Sequence, residues 1–198
     1  YNIYTSHFKI DDKLITDNNS MYIGQKKGNF TIKTVKGKET IVNGESFYKI
    51  SNSDFMRPFF MSIVSNSDHW MFISSNGSLS AGRKNSNYAL FPYYTDDKIT
   101  EAAEITGTKS IFLVTVNDKK YLWEPFSKKY EGIYKFSRNL YKNVLGNKVI
   151  FEEINHDLNV AFTYEWNSSE KYGFVRKSSF TNQNDAQISV QLIDGIQN

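Results

Sequence analysis

Apolar and polar residues alternate with a period of two over much of this chain, the spacing of strands that bury one face. From Asn29, the residues Phe30, Ile32 and Thr34 alternate with smaller or polar ones, Lys36-Gly37-Lys38 reads as a turn, and residues 40–42 return as a strand. Asn43-Gly44 then separates two strand-like runs, and Asn-Gly is a strong hairpin signal because both residues tolerate positive φ. Residues 29–50 are therefore expected to form a three-stranded meander. The same device recurs at Asn76-Gly77, between runs 69–75 and 78–83, and more weakly at Asn117-Asp118, between runs 110–116 and 120–124. Further strands are expected at 133–136, 148–154, 158–166, 172–176 and 186–193, with Asn155-His156-Asp157 as a turn. Residues 1–20 read as a lead-in strand and a polar loop, and the last strand as ending in an Asp194-Gly195 turn.

One segment breaks the alternation. Thr95 can cap a helix, Asp96 and Asp97 suit its electropositive start, and Ile99, Ala102 and Ala103 share a face before Gly107, so a short helix is expected over 96–105. Hairpins without helical crossovers predict an all-β chain, an antiparallel two-sheet sandwich with one short helix. Sandwiches often reach 198 residues as one unit, so residues 1–198 are expected to form a single domain.

Composition fits that fold and excludes several functions. Aromatic residues make up 16% of the chain, enough to fill a sandwich core largely with rings. The formal charge of +3 comes from 24 basic and 21 acidic residues that are interspersed rather than blocked. Nucleic-acid binding needs a basic stripe, and the isolated pairs Lys26-Lys27, Lys119-Lys120 and Lys128-Lys129 do not make one. No apolar run approaches the roughly 20 residues that span a bilayer, so neither nucleic acid nor membrane is an expected partner. Cysteine is absent, which removes disulfides, thiolate nucleophiles and cysteine-ligated zinc.

The usual catalytic patterns are missing as well. His7, His69 and His156 lie in distant segments without metal-ligand spacing. The carboxylate pairs Asp11-Asp12, Asp96-Asp97 and Glu152-Glu153 are adjacent residues, a poor source of two groups that flank a glycosidic bond about 5 Å or more apart. Ser65-Asn66-Ser67 lacks the setting of a nucleophile elbow, and Gly24-Gln25-Lys26-Lys27-Gly28 is too short for a phosphate loop. No catalytic residue, metal or cofactor is expected. The densest chemistry lies in residues 65–98, which combine rings, amides, hydroxyls, an arginine and paired carboxylates. A pyranose wants that mixture, because its C–H faces pack on rings and its hydroxyls need planar donors and acceptors. A hairpin above an aromatic core explains the same residues, and on chemistry alone it is the plainer reading.

Around Asn76-Gly77-Ser78-Leu79-Ser80-Ala81-Gly82-Arg83 the chain resembles the N-terminal β-sandwich of (α/α)6-barrel glycoside hydrolases and phosphorylases, the cellobiose phosphorylase family and its relatives. Leu122-Trp123-Glu124-Pro125-Phe126, Tyr164-Glu165-Trp166 and the stretch from Leu192 to Asn198 extend that resemblance over residues 55–198. It implies a non-catalytic domain that packs on a helical-barrel catalytic domain of the same chain, helps shape its substrate cleft and contributes to a homodimer. It also implies that the chain is the N-terminal part of a longer one, with catalysis in the barrel. On this reading Trp70, Asn76, Arg83, Tyr93 and Tyr94 are the expected carbohydrate-binding or interdomain residues. Two alternatives stay open: a free-standing carbohydrate-binding module with a ring platform that includes Trp123 or Trp166, and a protein-interaction domain that uses sheet edges or loops.

Overall fold

The computed structural model describes residues 21, 22, 24 and 32–198. The expected lead-in strand and loop over 1–20 lie outside the described residues, as does Phe30. The described chain is all-β, with thirteen strands and one short helix, and its sheets are antiparallel except for one pairing.

The largest sheet has six strands. β2 (Lys36–Val42) and β3 (Glu45–Ser51) form a hairpin, and β9 (Phe136–Asn143), β10 (Lys148–Asn155), β11 (Val160–Ser169) and β12 (Gly173–Asn182) complete the order β12-β11-β10-β9-β3-β2. Two smaller sheets accompany it. One joins β4 (Phe60–Ile63), β5 (His69–Ser74) and β6 (Leu79–Arg83). The other has the order β1-β8-β7-β13 and contains β1 (Met21–Tyr22), β7 (Gly107–Val116), β8 (Lys119–Trp123) and β13 (Ser189–Gln197), with β1 parallel to β8.

Strand periodicity explains how these layers close. Along β11, Val160, Phe162, Tyr164 and Trp166 are buried while Thr163 and Glu165 between them are less so. These inward residues join Leu140 of β9 and Val149 and Phe151 of β10 in one core with Met71 and Ile73 of β5, Leu79 of β6, Phe112 and Val114 of β7, and Trp123 of β8. The two small sheets therefore share one face of the six-stranded sheet. Phe112 sits at the centre of the ring packing, 5.0 Å from Phe162, 5.2 Å from Phe180 and 5.3 Å from Trp123 between centroids. Phe151 and Tyr164 stack at 4.7 Å.

Several local expectations are met. Asn43-Gly44 has φ of 49° and 81°, and Asn117-Asp118 has 49° and 62°, the double positive φ of a tight hairpin turn. At Asn76-Gly77 only Gly77 is left-handed, and the chain closes through a longer loop in which Gly77 N donates to Ser74 O at 2.8 Å.

Other expectations are corrected. The expected meander over 29–50 is a hairpin among the described residues, and Lys36-Gly37-Lys38 is not a turn but the start of β2, paired with Ser51, Ile50 and Lys49. β2 is an edge strand, where exposed lysines discourage further pairing and the charged pattern mimics a turn. A Cβ at Gly37 would meet the outer end of the half-exposed Tyr48 ring, which would have to shift. The strand expected at 133–136 begins instead at Phe136 and runs to Asn143, through the polar sequence Ser-Arg-Asn that conceals it. Asp194-Gly195 is not a turn either: it pairs with Ser110 and Lys109 inside β13. The helix α1 is shorter than expected, Asp96–Glu101, and Thr95 makes no side-chain bond to its backbone amides. The Thr95 hydroxyl is taken up by the Asp97 carboxylate instead.

Candidate functional site

The residues expected at the site divide between two places. Trp70 and Phe72 point to the outer face of β5, since Met71 and Ile73 between them are buried. Phe60 of β4 lies on the same face, and Tyr93 reaches it from the loop after β6. Ring centroids run in a row: Phe60 to Phe72 at 5.0 Å, Phe72 to Trp70 at 5.6 Å and Trp70 to Tyr93 at 5.6 Å. Tyr93 and Phe60 are 57% and 41% exposed, so both ends of the row meet solvent. The loop is seated through Ser80, whose hydroxyl donates to Pro92 O and accepts from Tyr94 N. Gly82 lets this loop lie against the sheet, because a Cβ there would fall 2.6 Å from Tyr88 O and 2.5 Å from the Trp70 ring.

Arg83 and Asn76 sit at opposite ends of the β5–β6 hairpin, as the pairing of His69 with Arg83 and the turn at 75–78 require. Five residues of strand separate their levels, about 17 Å at the usual rise. One small ligand cannot touch both. Arg83 Nε donates to His69 Nε2 at 2.9 Å, and an arginine N–H only donates, so His69 Nε2 is an acceptor and Nδ1 carries the proton. The contact between His69 Nδ1 and Ser67 Oγ is thus N–H to oxygen, the wrong polarity for a base activating a nucleophile.

Asn76 belongs to a second place that sequence reasoning missed. A cleft of about 330 Å³ is lined by residues from four connecting segments: Asp54 and Pro58 before β4, Asn76 in the β5–β6 turn, Glu104 after α1, and Glu131 after β8. Phe126, Phe151, Arg138 and Asn139 complete it. The small sheets and the six-stranded sheet all contribute, so the loops gather on a rigid scaffold.

A buried ion pair organises the wall of this cleft. Glu153, 2% exposed, accepts from Arg138 Nε at 2.7 Å, Trp123 Nε1 at 2.8 Å and the Phe126 backbone amide at 2.6 Å. Arg138 also donates from Nη2 to Ser127 O at 3.0 Å and lies over the Phe136 ring at 4.3 Å. Burying two charges costs several kcal/mol per ion unless their hydrogen bonds are met, and here most are. Asp54, exposed over much of its surface, faces the same cleft from a 3-10 turn; partial desolvation raises its pKa, against a smaller pull from Arg138. Asn76 Nδ2 donates to Thr100 O at 2.7 Å, while its buried Oδ1 has no partner.

The remaining tryptophans line neither surface: Trp123 and Trp166 are 1% and 2% exposed, and Trp123 acts only from within, through its donation to Glu153. Among the described residues no group of three or more His, Asp or Glu converges as a metal site, and no helix is long and apolar enough to cross a membrane. The chain matches no family model and no curated protein sequence.

Proposed function

We propose that this chain is a non-catalytic accessory β-sandwich of a carbohydrate-active enzyme, and that the outer face of the three-stranded sheet is its sugar-contacting surface, packed beside a helical-barrel catalytic domain of the same chain. The row Phe60, Phe72, Trp70 and Tyr93 carries this reading. Four rings in successive contact, three of them on paired strands, present an apolar surface with little rotamer entropy to lose, which suits the C–H faces of sugar rings. The polarity of the Ser67–His69–Arg83 chain supports a binding role over a hydrolytic one. Trp123 and Trp166, the tryptophans that a free-standing module could have added to its platform, are buried, which counts against that alternative.

The test is titration of the chain with a panel of β- and α-linked oligosaccharides, followed by tryptophan fluorescence and by calorimetry. At least one oligosaccharide is expected to bind, with Trp70→Ala and Tyr93→Ala each weakening it about tenfold, the value of one lost ring contact. A flat response across the panel removes the sugar-binding claim. The claim of a parent enzyme is tested separately by the coding sequence beyond residue 198, where a helical barrel is the expected result.

A further inference from the structure

The cleft between the sheets gathers polar groups around a ring. Its walls hold donors and acceptors together: the Arg138 guanidinium, the Asp54 and Glu131 carboxylates and the Asn76 amide stand around the rings of Phe126 and Phe151. Arg138 is fixed by Glu153 and Ser127 through Nε and Nη2, while the nearest carboxylate to Nη1 is Glu131 at 4.0 Å, too far for a hydrogen bond. Donors are therefore left over at a rigidly held group. Phe126 adds a second sign. Its φ of 65° is left-handed, a costly conformation for a bulky residue, and it is held there by the amide bond to buried Glu153. Strain of this kind persists where the surroundings impose it, and here it sets a ring into the cleft.

We infer that this cleft binds a single neutral polyol ring of the hexopyranose class, its apolar face on the partly buried Phe126 ring and its hydroxyls shared among Arg138, Asp54 and Glu131. The volume of about 330 Å³ lies at the small end of ligand pockets and suits one ring. With Glu104 paired to Lys109 and Arg138 to Glu153, the cleft sets Asp54 and Glu131 against Lys128, a balance that favours a neutral sugar over one carrying a phosphate or carboxylate. A hydroxyl both donates and accepts, which matches walls that carry both guanidinium and carboxylate. The inference rests on this cleft alone and stands whether or not the ring row on the three-stranded sheet binds sugar.

Nuclear magnetic resonance titration of the chain with methyl glucoside, methyl mannoside, methyl galactoside and myo-inositol tests it, with glucose 6-phosphate and glucuronate as charged counterparts. At least one neutral compound is expected to shift the amides of Asp54, Asn76 and Glu131 in the millimolar range, and to bind more tightly than either charged sugar. Asp54→Ala and Glu131→Gln should each weaken that binding about tenfold, and Trp70→Ala should leave it unchanged. Asp54 is exposed, so Asp54→Ala is expected to unfold at the same temperature as the parent, which separates lost binding from lost folding. The inference is overturned if no neutral compound moves those amides, if a charged sugar binds more tightly, or if both cleft variants bind like the parent.

Discussion

At the scale of single residues, the most consequential pair is one that alternation hides. Arg138 and Glu153 face each other across the β9–β10 register and are both buried, so each exists to satisfy the other. Removing one strands a charge in the core. Arg138→Met and Glu153→Leu are each expected to lower stability by about 3–5 kcal/mol, read by urea unfolding, while the double variant should recover most of that loss. Single variants as stable as the parent would mean that the pair does not organise the core. Of the residues singled out from sequence, the Trp70 and Tyr93 rings meet beside the three-stranded sheet, which Tyr94 touches through its backbone amide. Asn76 and Arg83 were legible as polar hairpin residues, but which end of the hairpin each would occupy depends on register. Arg138 carried no signal, because an isolated arginine in Phe-Ser-Arg-Asn reads as loop.

At the scale of elements, glycine at turns separates two kinds of constraint. Gly44 has φ of 81° with no atom within 4 Å of an added Cβ, so Gly44→Ala should cost only the backbone preference, about 1 kcal/mol. Gly107 has φ of 122°, and a Cβ there would lie 2.3 Å from Gly77 O. That contact brings the start of β7 against the tip of the β5–β6 hairpin. Gly107→Ala therefore adds a clash with a backbone atom and should cost about 1–3 kcal/mol beyond Gly44→Ala in the same urea measurement. Equal losses would show that the hairpin tip yields freely. Hairpins with Asn-Gly or Asn-Asp were readable because their φ demand is local. The missed strand β9 and the misread start of β2 were not, since polar residues on a strand are explained only by neighbours far away in sequence.

For the whole molecule, acid stability follows from carboxylates that tie strands together. Desolvation raises the pKa of Asp194, but hydrogen bonds from Arg176 and Ser110 outweigh it and hold the carboxyl below its usual range. Arg176 Nη2 reaches Asp194 at 2.6 Å and so joins β12 of the large sheet to β13 of a small one. Glu45 is likewise lowered by its hydrogen bonds from Lys148 and Asn143. A carboxyl lowered in the folded state contributes stability that is whole above its unfolded pKa, near about 4, and lost as pH falls through the folded value. Asp54, being raised, acts with the opposite sign and partly offsets the decline. The urea midpoint should therefore fall as pH drops below about 4, and Asp194→Asn should flatten that fall. A parent midpoint that does not move on acidification would contradict this.

The amino-acid sequence by itself determined the fold class, the absence of thiol chemistry and the main hairpins, because alternation and turn residues act over a few neighbours. Tertiary structure alone decided that the strands divide into three sheets, that Trp123 and Trp166 are core, and that Arg138, Asp54, Asn76 and Glu131 meet at one cleft. Those outcomes depend on which distant strands pair and in what register. A shift of one residue would turn Arg138 to the other face, and no local pattern records that choice.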